Sequence, residues 1–150
     1  MSGTVGIRVA LVAMSLAAVS AAGSVEVERA REFYRRAEIA EKRKQHQVAE
    51  QHLRQAVAIE PGQIGRVVDL GEFLARHGRY EECDELFRMA EEKNSDSPRL
   101  MFARARLEIH SGRNLNEARK LLRNYLASPI TSDDPPRSEA LRLVKMAWSQ

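Results

Sequence analysis

The strongest constraint in this chain is an offset of 34 residues that recurs among its small and apolar positions. Ala37, Gly71 and Ala105 are spaced by 34, as are Ala49 and Cys83, Leu53 and Phe87, Ala56 and Ala90, and Gly78 and Gly112. The stretch Leu70–Ala90 shows what is being repeated. Leu70, Phe73 and Leu74 share one face of a short helix, with Gly71 beside them where a second helix can cross closely. Cys83, Leu86, Phe87 and Ala90 share one face of that second helix. Gly78 separates the two, at a turn that only Gly makes without a Cβ penalty. A single helix pair cannot bury both apolar faces, so copies must stack on either side of it. The expected fold is therefore all-α, and no segment outside the helices carries the alternating pattern of a strand.

Taken in order, the chain reads as a series of amphipathic helices. Val25–Arg43 has Val27, Ala30, Phe33, Ala37 and Ala40 at helical spacing. His46–Ile59 partners it, with Val48, Ala49, Leu53, Ala56 and Val57 inward, and Pro61-Gly62 follows its end. Gln63–Arg76 pairs with Tyr80–Lys93. After the turn Asn94–Pro98, with Ser97 as N-cap and Pro98 at the first helical position, Pro98–Ser111 pairs with Leu115–Ala127. A loop rich in Pro, Ser, Thr and Asp, Ser128–Pro136, leads to a last helix, Pro136–Trp148. Its stripe of Ala140, Leu141, Val144, Ala147 and Trp148 is expected to cover Leu115, Leu122 and Tyr125, with Leu143 at the border.

A helix–turn–helix unit repeating every 34 residues or so is the tetratricopeptide period. Across Arg29–Pro129 the chain resembles that family. The middle copy carries the clearest match, in Leu70-Gly71, Leu74, Gly78-Arg79-Tyr80, Cys83 and Phe87. Phe33, Ala37, Ala49, Leu53, Ala56 and Pro61 keep the register in the first copy, and Ala105, Gly112, Ala118 and Leu122 in the third, which has one extra residue within Arg113–Glu117. Departures are specific. Lys44 stands where the inter-helix Gly is usual, Arg36 and Arg104 where Leu is usual, and Val67 and Met101 where an aromatic opens the motif. The resemblance implies an α-solenoid of about three helix–turn–helix repeats over residues 25–129 (approximately 30–63, 64–97 and 98–131), closed by a capping helix within 132–150.

The resemblance also implies a function. In that family the first helix of each repeat lines a concave groove that holds a peptide. Carried over by position, the groove comprises Arg31, Tyr34, Glu38 and Glu41 in the first copy, Val68, Glu72 and Arg76 in the second, and Arg99, Phe102, Arg106 and His110 in the third. Tyr34 and Glu38 replace the Lys and Asn with which chaperone-binding members grip a C-terminal carboxylate, so that activity is not expected. The expected partner is another protein or peptide, with self-association a further possibility.

Little in the sequence points to other chemistry. Formal net charge is +3 with 30% charged residues of both signs interspersed, the pattern of solvated helix faces rather than of a nucleic-acid binder. The single cysteine, Cys83, excludes an internal disulfide and sits where other copies have Ala49 and Ala118. His46, His52, His77 and His110 show no metal-ligand spacing, and Asp133-Asp134 read as the approach to the last helix. No Gly-rich phosphate loop or nucleophile elbow is present. The reading is a non-catalytic scaffold with no cofactor and no metal. Residues 1–22, with Arg8, the apolar run Val9–Ala22 and small residues at its end, have the form of a secretory signal peptide. The expected location is exported, periplasmic or secreted. The alternative is a membrane-tethered assembly subunit that retains this segment as its anchor, the one case in which a membrane is a partner.

Overall fold

The computed structural model describes the backbone of residues 5–149 and the side chains of residues 23–149. Its fold is all-α, of the helical repeat solenoid class, with seven helices among the described residues. The chain divides into two compact units, residues 1–60 and 61–150.

The first unit is a hairpin of α1 (Val5–Lys42) and α2 (His46–Ile59). Helix α1 runs 38 residues, beyond the expected Val25–Arg43 at its N-terminal end. The side chains of the leader or anchor segment, Val9–Ala22, lie outside the described residues. Among the described residues, no helix is long and apolar enough to cross a membrane. The buried residues are mostly alanines: Ala30, Ala37 and Ala40 from α1, and Ala49 and Ala56 from α2, with Leu53. Small side chains let the two helices lie close. Val48, expected inward, is exposed because it falls one position off the Ala49–Leu53–Ala56 stripe. Phe33 packs 5.7 Å from the His52 ring.

The second unit contains α3 (Ile64–Arg76), α4 (Tyr80–Lys93), α5 (Pro98–Ser111), α6 (Leu115–Ala127) and α7 (Arg137–Ser149). Helices α3 and α4 form one hairpin and α5 and α6 the next; α5 lies beside α3, and α7 beside α5 and α6. First helices therefore neighbour first helices. At the crossing of α3 and α4 a Cβ on Gly71 would run into the Phe87 ring, so the close approach requires a glycine there. Ser97 Oγ accepts a hydrogen bond from the Leu100 amide at 3.4 Å, with Pro98 opening α5, as the sequence predicts.

The last hairpin and α7 share one core: Phe102, Ala105 and Ile109 of α5, Ala118, Leu122 and Tyr125 of α6, and Ala140, Leu143 and Ala147 of α7. Two expectations about α7 need correction. Leu143 is buried at 2% exposure rather than at the border, whereas Leu141 is 52% and Trp148 71% exposed. The buried set Ala140–Leu143–Ala147 follows i, i+3, i+7, and this rotates Leu141 and Trp148 off the contact face. Trp148 instead lies under the Arg119 guanidinium, 4.5 Å from the ring centroid. Arg119 Nε also donates to the Ala147 carbonyl at 3.1 Å, which closes the C-terminal end of α7.

The three inter-helix turns show how backbone conformation repeats without its usual residue. Gly78 and Gly112 have φ of 75° and 67°, and Lys44, one period earlier, has φ of 59°. Lys44 adopts the left-handed conformation that the hairpin demands and bears its steric cost, of order 1–2 kcal/mol for a residue with a Cβ. Lys44→Gly is expected to stabilise the first hairpin by about 1 kcal/mol, read as a higher denaturant midpoint at unchanged slope. An unchanged or lowered midpoint would refute this account of the turn.

Candidate functional site

The outward faces of α3 and α5 build the site. Helices that place their apolar residues on one side leave the opposite side to polar residues. On α3 that side presents Asp69, Glu72 and Arg76; on α5 it presents Arg99, Arg106 and His110. Glu72 and Arg106 occupy equivalent positions 34 residues apart and join in an ion pair across the two helices. This pair divides the face into two recesses.

The larger recess has a volume of about 460 Å³ and lies toward the C-terminal ends of α3 and α5. Its floor is apolar, made by Cys83 and Phe87 of α4 and Ala103 and Leu107 of α5. Ala75 and Tyr80 add to its wall, and Glu72, Arg76, Arg106 and His110 stand around its mouth. His110 Nδ1 lies 2.7 Å from the Arg106 carbonyl oxygen, which fixes the ring against its own helix. The smaller recess, of about 310 Å³, lies toward the N-terminal ends of the same helices. Asp69, Glu72, Asp133, Asp134 and Glu139 line it, with Arg99 and Arg106 as the cations. Arg99 donates to the Asp133 carbonyl at 2.9 Å and ties α5 to the loop before α7. Asp134 accepts from the Thr131 amide at 2.8 Å and from its hydroxyl at 3.0 Å, so this carboxylate closes the turn in front of α7.

Of the residues expected in the groove, Glu72, Arg76, Arg99, Arg106 and His110 converge on this face. Val68 and Phe102 are placed differently. They wall the smaller recess but are only 5% and 2% exposed, so they are core residues rather than a free binding surface. Phe102 is drawn inward by Tyr125, whose ring lies 5.2 Å away, and Arg106 covers it from outside at 5.9 Å. Arg31, Tyr34 and Glu38 lie on α1 in the first unit, where Arg31 pairs with Glu28 at 3.5 Å. Sequence reasoning did not place Tyr80, Leu107 or the Asp133–Glu139 segment at the site. Tyr80 and Leu107 show no special pattern, and the acidic segment comes near only because the chain doubles back into α7.

A second polar cluster lies between α4 and the last hairpin. Arg104, where the repeat ordinarily has Leu, pairs with Glu91, while its Nε has no hydrogen-bond partner. Burial opposes the charge on Arg104, but Glu91, Glu108 and Asp84 outweigh it and hold the guanidinium more firmly protonated. Arg113 pairs with Asp84, and its ring neighbour is Tyr80 at 5.3 Å. Glu108, 2% exposed, accepts from the Asn114 amide at 3.3 Å and lies 3.7 Å from Arg113. Among the described residues, no group of three or more His, Cys, Asp or Glu side chains could hold a metal ion.

These features define a helical-repeat surface suited to holding another chain. A family model described as tetratricopeptide repeat matches residues 40–107, from the end of α1 through most of α5, and supports the tetratricopeptide assignment. Repeats of this kind generally mediate protein–protein interaction, which supports a scaffold role and a protein partner. No curated protein matches the chain.

Cys83 is fully buried beneath the larger recess, and burial pushes its thiol up to about 12 from 9.0, with Asp84 adding to the effect. A folded-state value above the unfolded one means that stability is complete below pH 9 and is lost as pH rises toward 12. Cys83→Ala, which installs the residue found at the equivalent positions 49 and 118, is expected to flatten the fall in unfolding free energy between pH 8 and 11. Identical pH dependence in the variant and the parent would show that the thiol does not contribute.

Proposed function

We propose that this protein is a non-catalytic, exported scaffold that holds a segment of another protein along the outward faces of α3 and α5. The observation that supports this most is the 460 Å³ recess with an apolar floor of Cys83, Phe87, Ala103 and Leu107 and a rim of charged side chains. The partly exposed Ala75 and Tyr80 of its wall offer apolar surface to a partner's side chain, and the polar groups around the mouth orient what binds. Arginines at such a rim are among the residues that anchor interfaces best. Export is inferred from the residue pattern of the leader, Arg8 followed by Val9–Ala22.

Two measurements test this. A partner captured by the purified full chain is expected to be lost by the double variant Arg76→Glu/His110→Glu, at least tenfold in affinity. Both residues are exposed, so circular dichroism and thermal melting stay unchanged. Full retention of the partner by the variant would place the interface on another face. For the leader, mass measurement of the secreted protein is expected to show a new N-terminus near Ala22 or Gly23. An intact Met1 on protein recovered from the soluble fraction would overturn export by cleavage.

A further inference from the structure

The last two helices carry a face that takes no part in the α3–α5 recesses. Leu141, Val144, Lys145 and Trp148 follow i, i+3, i+4 and i+7, so they share one side of α7. Leu141 and Trp148 are 52% and 71% exposed, and Val144 is half-buried against the α6–α7 core. Arg119 of α6 lies over the Trp148 ring, and Arg123 stands one turn further along α6, exposed like Lys145. The charge of this face has one sign. Arg119 donates to the Asn116 side chain at 2.9 Å and to the Ala147 carbonyl at 3.1 Å, neutral acceptors that leave the guanidinium its charge. Among the described residues no carboxylate pairs with Arg123 or Lys145. The acids of these two helices are turned elsewhere. Glu117 pairs with Lys120 at 3.6 Å and lines a recess shared with the turn between α4 and α5. Glu139 lies 3.7 Å from Arg142 and lines the smaller α3–α5 recess.

We propose that this α6–α7 face docks on the surface of an anionic lipid bilayer, independently of the leader. Leu141 and Trp148 enter the interface, and Arg119, Arg123 and Lys145 meet the lipid phosphates. Helices that lie in a bilayer interface combine the same elements, apolar and aromatic side chains with Lys and Arg beside them. A tryptophan ring suits headgroup depth, and the negative surface potential of anionic lipid draws in nearby cations. Charge decides against a second copy of the chain as occupant. A two-fold contact sets one patch against itself, which here brings Arg119, Arg123 and Lys145 toward their own equivalents. A fluid bilayer closes around side chains that stand out, as Leu141 and Trp148 do, whereas a folded partner needs a recess shaped to them. So few anchors give reversible attachment rather than insertion. None of these residues lines either recess of the α3–α5 face, so that face stays open while the bilayer is held.

Trp148 is the only tryptophan, so its emission reports on this face whatever the leader does. The test uses the full chain with vesicles of phosphatidylcholine, alone or with about one-third phosphatidylglycerol, each also prepared with nitroxide-labelled lipid. Anionic vesicles are expected to shift Trp148 emission to the blue, and the nitroxide lipid to quench it. Neutral vesicles should need at least tenfold more lipid for the same response. At 0.5 M salt the preference for anionic vesicles should shrink toward unity, because exposed charges are screened over a few ångströms there. Arg123→Glu with Lys145→Glu is expected to weaken the anionic response at least tenfold, and Leu141→Ser several-fold. All three positions are exposed, so circular dichroism and thermal melting stay unchanged. Protein that sediments with vesicles while Trp148 stays unquenched is held by another segment, and this overturns the proposal. An equal response to neutral and anionic vesicles overturns it too, as does a double variant that responds like the parent. A Trp148 that ignores every vesicle but is shielded by a helical peptide of Glu and Leu would make the occupant an acidic protein instead.

Discussion

The close crossing of α3 and α4 at Gly71 governs the second unit. With no side chain at that point, the Phe87 ring sits directly against the α3 backbone. Any β-carbon there would force the pair apart or push the ring into its neighbours, a kind of overpacking that ordinarily costs 1–3 kcal/mol. The interior is dense enough that such a shift is not absorbed locally. The tight pair leaves room for α5 to lie beside α3, and only then do the outward residues of the two helices form one continuous face. Ala105 in the third copy and Ala37 in the first are likewise fully or almost fully buried.

The third copy departs most from an apolar repeat, and the departures answer one another. Arg104 and Glu108 put two charges into the boundary between α4 and α5. An unpaired buried charge would cost several kcal/mol, so each needs a partner. Glu91 and Asp84 of α4 supply carboxylates, Arg113 a second guanidinium, and the Asn114 amide a hydrogen bond to Glu108. Polar pairing at such a boundary restricts which hairpin can stand next to which, because a shifted register would strand the charges. Through Arg113 and Asp84 the same cluster ties the turn before α6 to α4, beside Tyr80.

Packing leaves one face of each helix uncovered. On α3 the core takes one side, whereas α5, packed by α3, α4, α6 and α7, keeps only a narrow polar strip. Together the faces left on α3 and α5 combine an apolar floor with charges of both signs, a composition suited to holding another chain and to discriminating among chains. The tetratricopeptide match over residues 40–107 agrees with such a role.

Much of the fold was legible in the sequence because it rests on local periodicity. The 34-residue offset, the helix faces, the Ser97–Pro98 start of α5 and the turns at Gly78 and Gly112 depend on residues near one another in the chain. Even Lys44 marked its turn by standing in the place of a Gly, although only the structure shows it adopting the left-handed backbone. For the site, the resemblance to the tetratricopeptide family named the face that Glu72, Arg76, Arg106 and His110 share. It could not rank residues on that face by depth. Phe102 and Val68 proved buried, and Trp148 and Leu141 exposed, because helix rotation is set by the neighbour against which each helix packs. Nor could it bring Asp133 and Glu139 beside Arg99, since that proximity follows from the path of the chain into α7. Sequence determined the repeating unit, because backbone and amphipathic preferences are local; tertiary structure alone decided the depth and charge of the groove, because those come from side chains joined only by packing.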